Sequence, residues 1–148
     1  MKKSVERLIL AGGIASVFWG LFHIAAIPPM VAEMVTTAGG KSAAGVSDLA
    51  SFLLLFNACT TAFLLGMGAA LILGRKSAGQ TLFGSLSLAM MVVFWVVRLV
   101  TPYFLLPEGV TVGDNISMID AFFVVMAALY LIPLLMSAKR GAARVDSA

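Results

Sequence analysis

Four polar or charged side chains lie inside the long apolar stretches of this 148-residue sequence. They are His23, Asn57, Arg98 and Asp120. Histidine titrates near neutral pH and can serve as a general acid or base. Arginine binds anions, and its planar guanidinium group pairs well with carboxylates. This set of residue types would suit an anionic small molecule, a lipid headgroup or a quinone.

Motifs that define a reaction or a bound metal are missing from the sequence. The single cysteine, Cys59, cannot form an internal disulfide or a thiolate metal site, and there is only one histidine. No CxxC motif, phosphate loop or ordered Ser-His-Asp set occurs, and Ser51, Thr60 and Thr61 are isolated polar residues. We therefore predict no cofactor and no metal.

Composition identifies the solvent that must surround this chain. The sequence is 61% apolar and 11% charged, whereas a soluble domain is about half apolar and about a quarter charged. A domain this small buries only part of its surface, so water is an unsuitable solvent and lipid is a suitable one. The net charge of +3 does not indicate nucleic-acid binding, because the basic residues form no stripe with aromatic residues between them.

Four apolar stretches are each long enough to cross a bilayer as a helix, which takes about 20 residues. They cover residues 8–27, 49–73, 82–103 and 116–136. Each must be helical, because unpaired backbone groups are too costly in lipid and four segments cannot close a β-barrel. The predicted fold is therefore all-α: one domain, residues 1–148, forming a bundle of four transmembrane helices.

The connections between the spans carry helix-ending and helix-starting residues. The first span is expected to stop at Pro28-Pro29, and the fourth is expected to kink at Pro133. Asp48 and Asp114 are candidate N-caps for the second and fourth spans. The predicted loops are residues 28–48 and 104–115 outside, and 74–81 in the cytoplasm.

Basic residues collect on one side of this predicted topology. Eight of them lie there: Lys2, Lys3, Arg7, Arg75, Lys76, Lys139, Arg140 and Arg144. The loops of the other side carry Lys41 alone. The positive-inside rule therefore predicts a protein of the cell (inner) membrane with both termini in the cytoplasm. A cleaved signal peptide is the alternative for the first segment, but its apolar run is longer than usual.

The four polar residues are expected near one side of the bilayer. At 1.5 Å per residue, His23, Arg98 and Asp120 lie about 6–8 Å below the outer ends of their predicted spans, and Asn57 about 12 Å. One hypothesis is a functional polar pocket open to the outside, because charges in a bilayer usually face a bundle interior or a cavity. The other hypothesis is structural: the arginine reaches out to lipid phosphate or water, and the aspartate favours a helix N-terminus.

Small residues at four-residue spacing mark one face of each of the first two spans. They are Gly12, Ser16 and Gly20 in the first, and Ala58, Ala62, Gly66, Ala70 and Gly74 in the second. Small residues allow close helix approach in lipid. We therefore expect both faces in interhelical contacts, directed either into the chain's own bundle or toward a second protomer.

Two similar runs suggest an internal duplication of a helical hairpin. FWGLFHIAAIPP occupies residues 18–29 and FWVVRLVTPYF occupies residues 94–104, and an aspartate opens the span after each. Two parallel hairpin repeats are a known membrane arrangement. With its size, span number and predicted termini, the chain resembles small four-helix bacterial membrane proteins, among them the DoxX-like group. The resemblance implies this architecture and carries over no activity.

Three functions remain open from the sequence. The leading hypothesis is a non-catalytic protein: a small subunit, scaffold or partner-binding protein that contacts the lipid bilayer and either a second copy or another membrane protein. The alternative is binding or transport of a small molecule, lipid or quinone through the polar pocket. The third is an enzyme that acts on a lipid-soluble substrate with His23 as base.

Overall fold

The computed structural model describes residues 3–38, 43–105 and 115–145. These residues form four α-helices: α1 (Lys3–Ala38), α2 (Ala43–Gly74), α3 (Leu82–Leu105) and α4 (Asn115–Val145). Each helix contains a segment long and apolar enough to cross a membrane, and the described ranges contain no strand. The predicted all-helical class, with four candidate membrane helices, is confirmed.

Helix α1 continues through Pro28 and Pro29 to Ala38, so the predicted end at these prolines is wrong. Each proline removes one backbone donor, which leaves the carbonyls of Ile24 and Ala25 without their usual helical partners. A membrane helix tolerates this loss when neighbouring groups or water satisfy the carbonyls. The prolines therefore interrupt the hydrogen bonding of α1 without ending it.

Helix α2 also begins earlier than the sequence predicted, at Ala43. Asp48 consequently lies inside the helix, where its side chain is exposed, and the prediction that it caps the second span is wrong. Most of the predicted outer loop, residues 28–48, is helical.

The lengths of α1 and α2 change the estimate of where their polar residues lie. With 36 and 32 residues, these helices are about 54 Å and 48 Å long, whereas the hydrocarbon core is about 30 Å thick. Because α1 runs on past the prolines, the end of the helix no longer fixes where the chain leaves the membrane, and the depth of about 6 Å for His23 loses its reference point. Helix α4 likewise extends past the predicted residue 136 to Val145.

The turn between α2 and α3 is built from local hydrogen bonds. The Gly74 carbonyl accepts from the backbone N–H groups of Ser77 and Ala78, both at 2.9 Å. The Thr81 hydroxyl accepts from the Gly84 N–H at 3.1 Å, which makes Thr81 the N-cap of α3. A Cβ atom at Gly84 would fall on the backbone of Ala78, so only glycine fits this start of the helix.

The helices form two compact units, described here separately. The α1–α2 unit comprises residues 14–70, and the α3–α4 unit comprises residues 1–13 and 71–148. In the α3–α4 unit, α3 packs on α4 around buried side chains that include Trp95, Met126 and Tyr130. Tyr130 also contacts Gly12, since a Cβ at Gly12 would lie 2.9 Å from the tyrosine ring.

The length of the connection between α3 and α4 determines whether these helices run parallel or antiparallel. Nine residues separate Leu105 from Asn115, and such a connection spans at most about 33–36 Å when fully extended. A parallel arrangement would have to run back along the 24 residues of α3, about 36 Å, and also cross sideways to α4. The two helices therefore run antiparallel.

Candidate functional site

His23 lies on α1 within the α1–α2 unit and is buried. Its Nδ1 atom is 2.9 Å from the backbone carbonyl oxygen of Trp19, one helical turn earlier. Because a carbonyl can only accept, Nδ1 must carry the hydrogen, and the neutral ring therefore has its lone pair on Nε2. The Trp19 and Phe22 rings lie beside the imidazole at centroid distances of 5.5 and 6.4 Å.

Asn57 connects α2 to α1 at the same place. Its Nδ2 donates to the backbone carbonyl of His23 at 3.3 Å, and the asparagine is 9% exposed. The opposite amide orientation would set two acceptor oxygens against each other, so the hydrogen-bonding pattern fixes which end faces His23. Asn57 therefore joins the two helices through a side chain that is held in one orientation.

The register of the helices explains why these two residues meet. His23 lies 15 residues before the end of α1, and Asn57 lies 14 residues after the start of α2. Further along, Gly20 allows close approach: a Cβ there would lie 3.0 Å from Leu65 and 3.3 Å from Leu64. The short connection and this glycine together bring the polar pair into one layer of the unit.

Two buried oxygen atoms of α2 have no hydrogen-bond partner among the described residues: Asn57 Oδ1 and Thr61 Oγ1. They belong to residues one turn apart, so they lie on the same side of the helix. A buried polar group without a partner costs about 1–3 kcal/mol. From the sequence alone, Thr61 is interpreted as an isolated polar residue. Its spacing of four residues from Asn57 is the pattern that could have predicted that the two side chains share a helix face.

Arg98 and Asp120 belong to the other compact unit, on α3 and α4, and both are half-buried. Trp95 contacts Phe122 and Phe123 across this helix pair, with ring centroids 5.8 Å apart in both cases. Arg98 follows Trp95 by three residues, and Asp120 precedes the two phenylalanines by two and three. Because α3 and α4 are antiparallel, moving forward along α3 and moving backward along α4 lead in the same direction. Arg98 and Asp120 therefore lie at one level of the helix pair.

Trp95 is fully buried in that helix pair, and its role was not anticipated from the sequence. Its Nε1 donor has no hydrogen-bond acceptor within the described regions of the chain. The sequence-predicted polar residues thus divide into two pairs. His23 and Asn57 are bonded to each other, whereas Arg98 and Asp120 lie level on packed helices. A single pocket formed by all four stays a prediction.

The two small-residue faces differ in their surroundings. Gly12, Ser16 and Gly20 are buried on α1. On α2, by contrast, Ala58, Ala62, Gly66 and Ala70 are all exposed, and a Cβ at Gly66 would meet nothing within 4 Å. The α2 stripe therefore does not face into the chain. The inward side of α2 carries other residues: Asn57, Thr61, Leu64, Gly68 and Leu71.

No group of three or more His, Cys, Asp or Glu side chains converges in the part of the chain that the structure describes. Comparison with known proteins gave no match to a protein-family model, a curated protein or a solved structure. A function for this chain must therefore be inferred from its own residues.

Proposed function

We propose that this protein is a non-catalytic membrane protein with four spans that binds another transmembrane helix along one side of α2. The binding surface, called here the outer α2 face, consists of Ala58, Ala62, Gly66 and Ala70. The observation that carries this proposal is the exposure of all four residues, with open space around Gly66.

Small residues on an outer face matter because of how helices associate in lipid. Lipid tails are as apolar as leucine, so association depends on close packing and not on hydrophobic burial. A row of small side chains at four-residue spacing lets two backbones approach, typically in a right-handed crossing near −40°. Leu55 and Leu73, exposed at 65% and 83%, border the outer α2 face and would contact a partner helix at the two ends of the row of small residues.

Membrane embedding is supported by the side chains that point outward. Leu73, Leu82 and Phe83 are each at least 75% exposed, which is unusual for large apolar residues in water but ordinary in lipid. We place the chain in the cell (inner) membrane with both termini in the cytoplasm. Four crossings return the chain to its starting side, and the basic residues near both termini and in the α2–α3 turn mark that side.

A structural role for His23 agrees with this non-catalytic function. The imidazole Nδ1 is engaged by the carbonyl of its own helix, and the His23 carbonyl receives the Asn57 amide. The first bond fixes the imidazole against its own helix. The second ties α2 to α1 through the Asn57 side chain and the His23 backbone.

The native cysteine offers a direct test of the outer α2 face. Cys59 is exposed and lies three residues before Ala62, so it borders the row of small residues. A photoreactive group attached to Cys59 in native membranes should capture whatever helix binds there. If the partner is a second copy whose α2 crosses near Cys59, mild oxidation should also give a disulfide-linked dimer, since a disulfide needs the two Cβ atoms about 3.5–4.5 Å apart.

Substitutions separate specific binding from chance encounters. Ala62→Leu together with Gly66→Leu should abolish capture, because bulky side chains hold the helices apart. The matched control is Ala121→Leu, at an exposed alanine on α4, which should leave capture unchanged. Equal capture by all three proteins, or no captured protein at all, would rule out the outer α2 face as a binding surface.

A further inference from the structure

The inward side of α2 presents a second feature that helix association does not explain. Asn57 and Thr61 are 9% and 8% exposed. Asn57 Oδ1 and Thr61 Oγ1 are both buried, and neither has a hydrogen-bond partner among the described residues. Two such atoms, one helical turn apart, form a small polar patch between apolar surroundings.

The direction of the asparagine is set by its other end. Because Asn57 Nδ2 donates to the His23 carbonyl, its Oδ1 atom faces away from that acceptor. An amide oxygen can only accept a hydrogen bond. The patch therefore requires a donor that neither α1 nor α2 supplies within the described residues.

Thr61 behaves unlike other hydroxyl residues in this chain. Ser87, Thr101 and Ser137 each donate to the carbonyl four residues earlier, at 2.7–2.9 Å. This bond is the usual way for a helical serine or threonine to satisfy itself. Thr61 does not make the equivalent bond to the Asn57 carbonyl, so its hydroxyl is available for another group.

We propose that Asn57 and Thr61 form a binding site for one hydroxyl group, held between α1 and α2 beside His23. The hydroxyl donates its hydrogen to Asn57 Oδ1 and exchanges a second hydrogen bond with Thr61 Oγ1. Water meets this requirement, since buried water bridges polar groups that lack protein partners. The hydroxyl of a membrane-soluble molecule meets it equally. This inference does not depend on the outer α2 face, which lies on another side of the helix.

The sequence makes the site accessible to magnetic resonance. The chain contains two asparagines, Asn57 and Asn115, so protein labelled with ¹³C and ¹⁵N at asparagine gives two side-chain signals. Asn57→Leu assigns them. The full chain is placed in perdeuterated lipid bilayers, and solid-state spectra record magnetisation transfer from unlabelled protons to the Asn57 side chain, first in H₂O and then in D₂O.

The two sources of a hydroxyl give different results. Transfer at the proton chemical shift of water, distinct from that of the Asn57 amide and Thr61 hydroxyl protons, that disappears in D₂O identifies water. Transfer that persists in D₂O from carbon-bound protons foreign to the protein, and that is lost after exhaustive lipid exchange, identifies a retained membrane-soluble molecule. In either case Thr61→Val, which keeps the side-chain shape, should abolish the transfer. Thr101→Val, at a threonine bonded to its own helix, should not.

A negative result is equally clear. If Asn57 receives no transfer at the water resonance and none that exhaustive lipid exchange removes, the site does not exist. The proposal also fails if Thr61→Val leaves the transfer and the Asn57 chemical shifts unchanged, because the hydroxyl would then have no second anchor.

Discussion

Gly12 and Gly66 provide a matched pair of glycines with opposite surroundings. A Cβ at Gly12 would lie 2.9 Å from two ring carbons of Tyr130 and 3.1 Å from its hydroxyl oxygen. Tyr130 is fully buried, so its ring has little room to move. A Cβ at Gly66 would meet nothing within 4 Å. Both glycines lie inside helices, which makes Gly→Ala the same chemical change in two environments.

The expected magnitudes follow from these contacts. Ordinary van der Waals contact between carbons begins near ~3.4 Å, so Gly12→Ala creates an overlap of ~0.5 Å on a ring that cannot retreat. Overpacking of this kind costs about 1–3 kcal/mol. Gly66→Ala has no such cost and gains helix propensity of up to about 1 kcal/mol. Gly12→Ala gains the same helix propensity, so the two variants should differ in the free energy of unfolding by roughly 1–3 kcal/mol, the overpacking cost, with Gly12→Ala the less stable of the two.

Reversible unfolding in mixed micelles with increasing SDS, followed by tryptophan fluorescence, measures this difference. A third variant identifies the contact: Gly12→Ala combined with Tyr130→Leu should be more stable than the sum of the single changes predicts, because the smaller side chain relieves the overlap. If Gly12→Ala and Gly66→Ala unfold at the same SDS fraction, or if the double variant shows no coupling, the placement of Tyr130 against α1 is wrong.

Three further predictions concern single residues. Selective ¹⁵N labelling of the only histidine should show hydrogen on Nδ1 of His23 in the neutral ring, since that atom faces a carbonyl; hydrogen on Nε2 would contradict the geometry. Gly84→Ala should lower stability sharply in the same micelle assay because its Cβ would meet the Ala78 backbone, and a wild-type unfolding curve would contradict this. Asn57→Leu should loosen α1 from α2 and raise amide hydrogen exchange near His23, whereas unchanged exchange would argue against the tie.

The helical class and the number of candidate spans could be predicted because long apolar stretches leave lipid-embedded backbone no alternative to helix. The ends of the helices were predicted less accurately. The Pro28-Pro29 pair suggested a stop, since proline ends helices in water. In this chain it lies inside α1, because losing two backbone donors does not outweigh continued helix formation on either side.

The candidate site could be predicted only in part from the sequence, for a different reason. Composition singled out His23 and Asn57 as polar residues in apolar helices, but their hydrogen bond depends on the register of α1 against α2, which no local pattern encodes. Spacing alone likewise could not say that Gly12 and Gly20 face protein while Gly66 faces outward. Both small-residue rows have the same period, and only the packing of larger neighbours distinguishes them.

Adjacent residues of α2 therefore face different surroundings, so single substitutions can test the two proposals separately. Thr61 is buried and Ala62 is exposed, because consecutive helical residues point about 100° apart. Thr61→Val changes the hydroxyl site without altering the outer α2 face, and Ala62→Leu does the reverse. If helix association and hydroxyl binding are independent, each substitution should affect one assay only. If Thr61→Val alone abolished both the capture at Cys59 and the magnetisation transfer to Asn57, the bound hydroxyl would position α2 for its partner helix. The two sides of α2 would then act together.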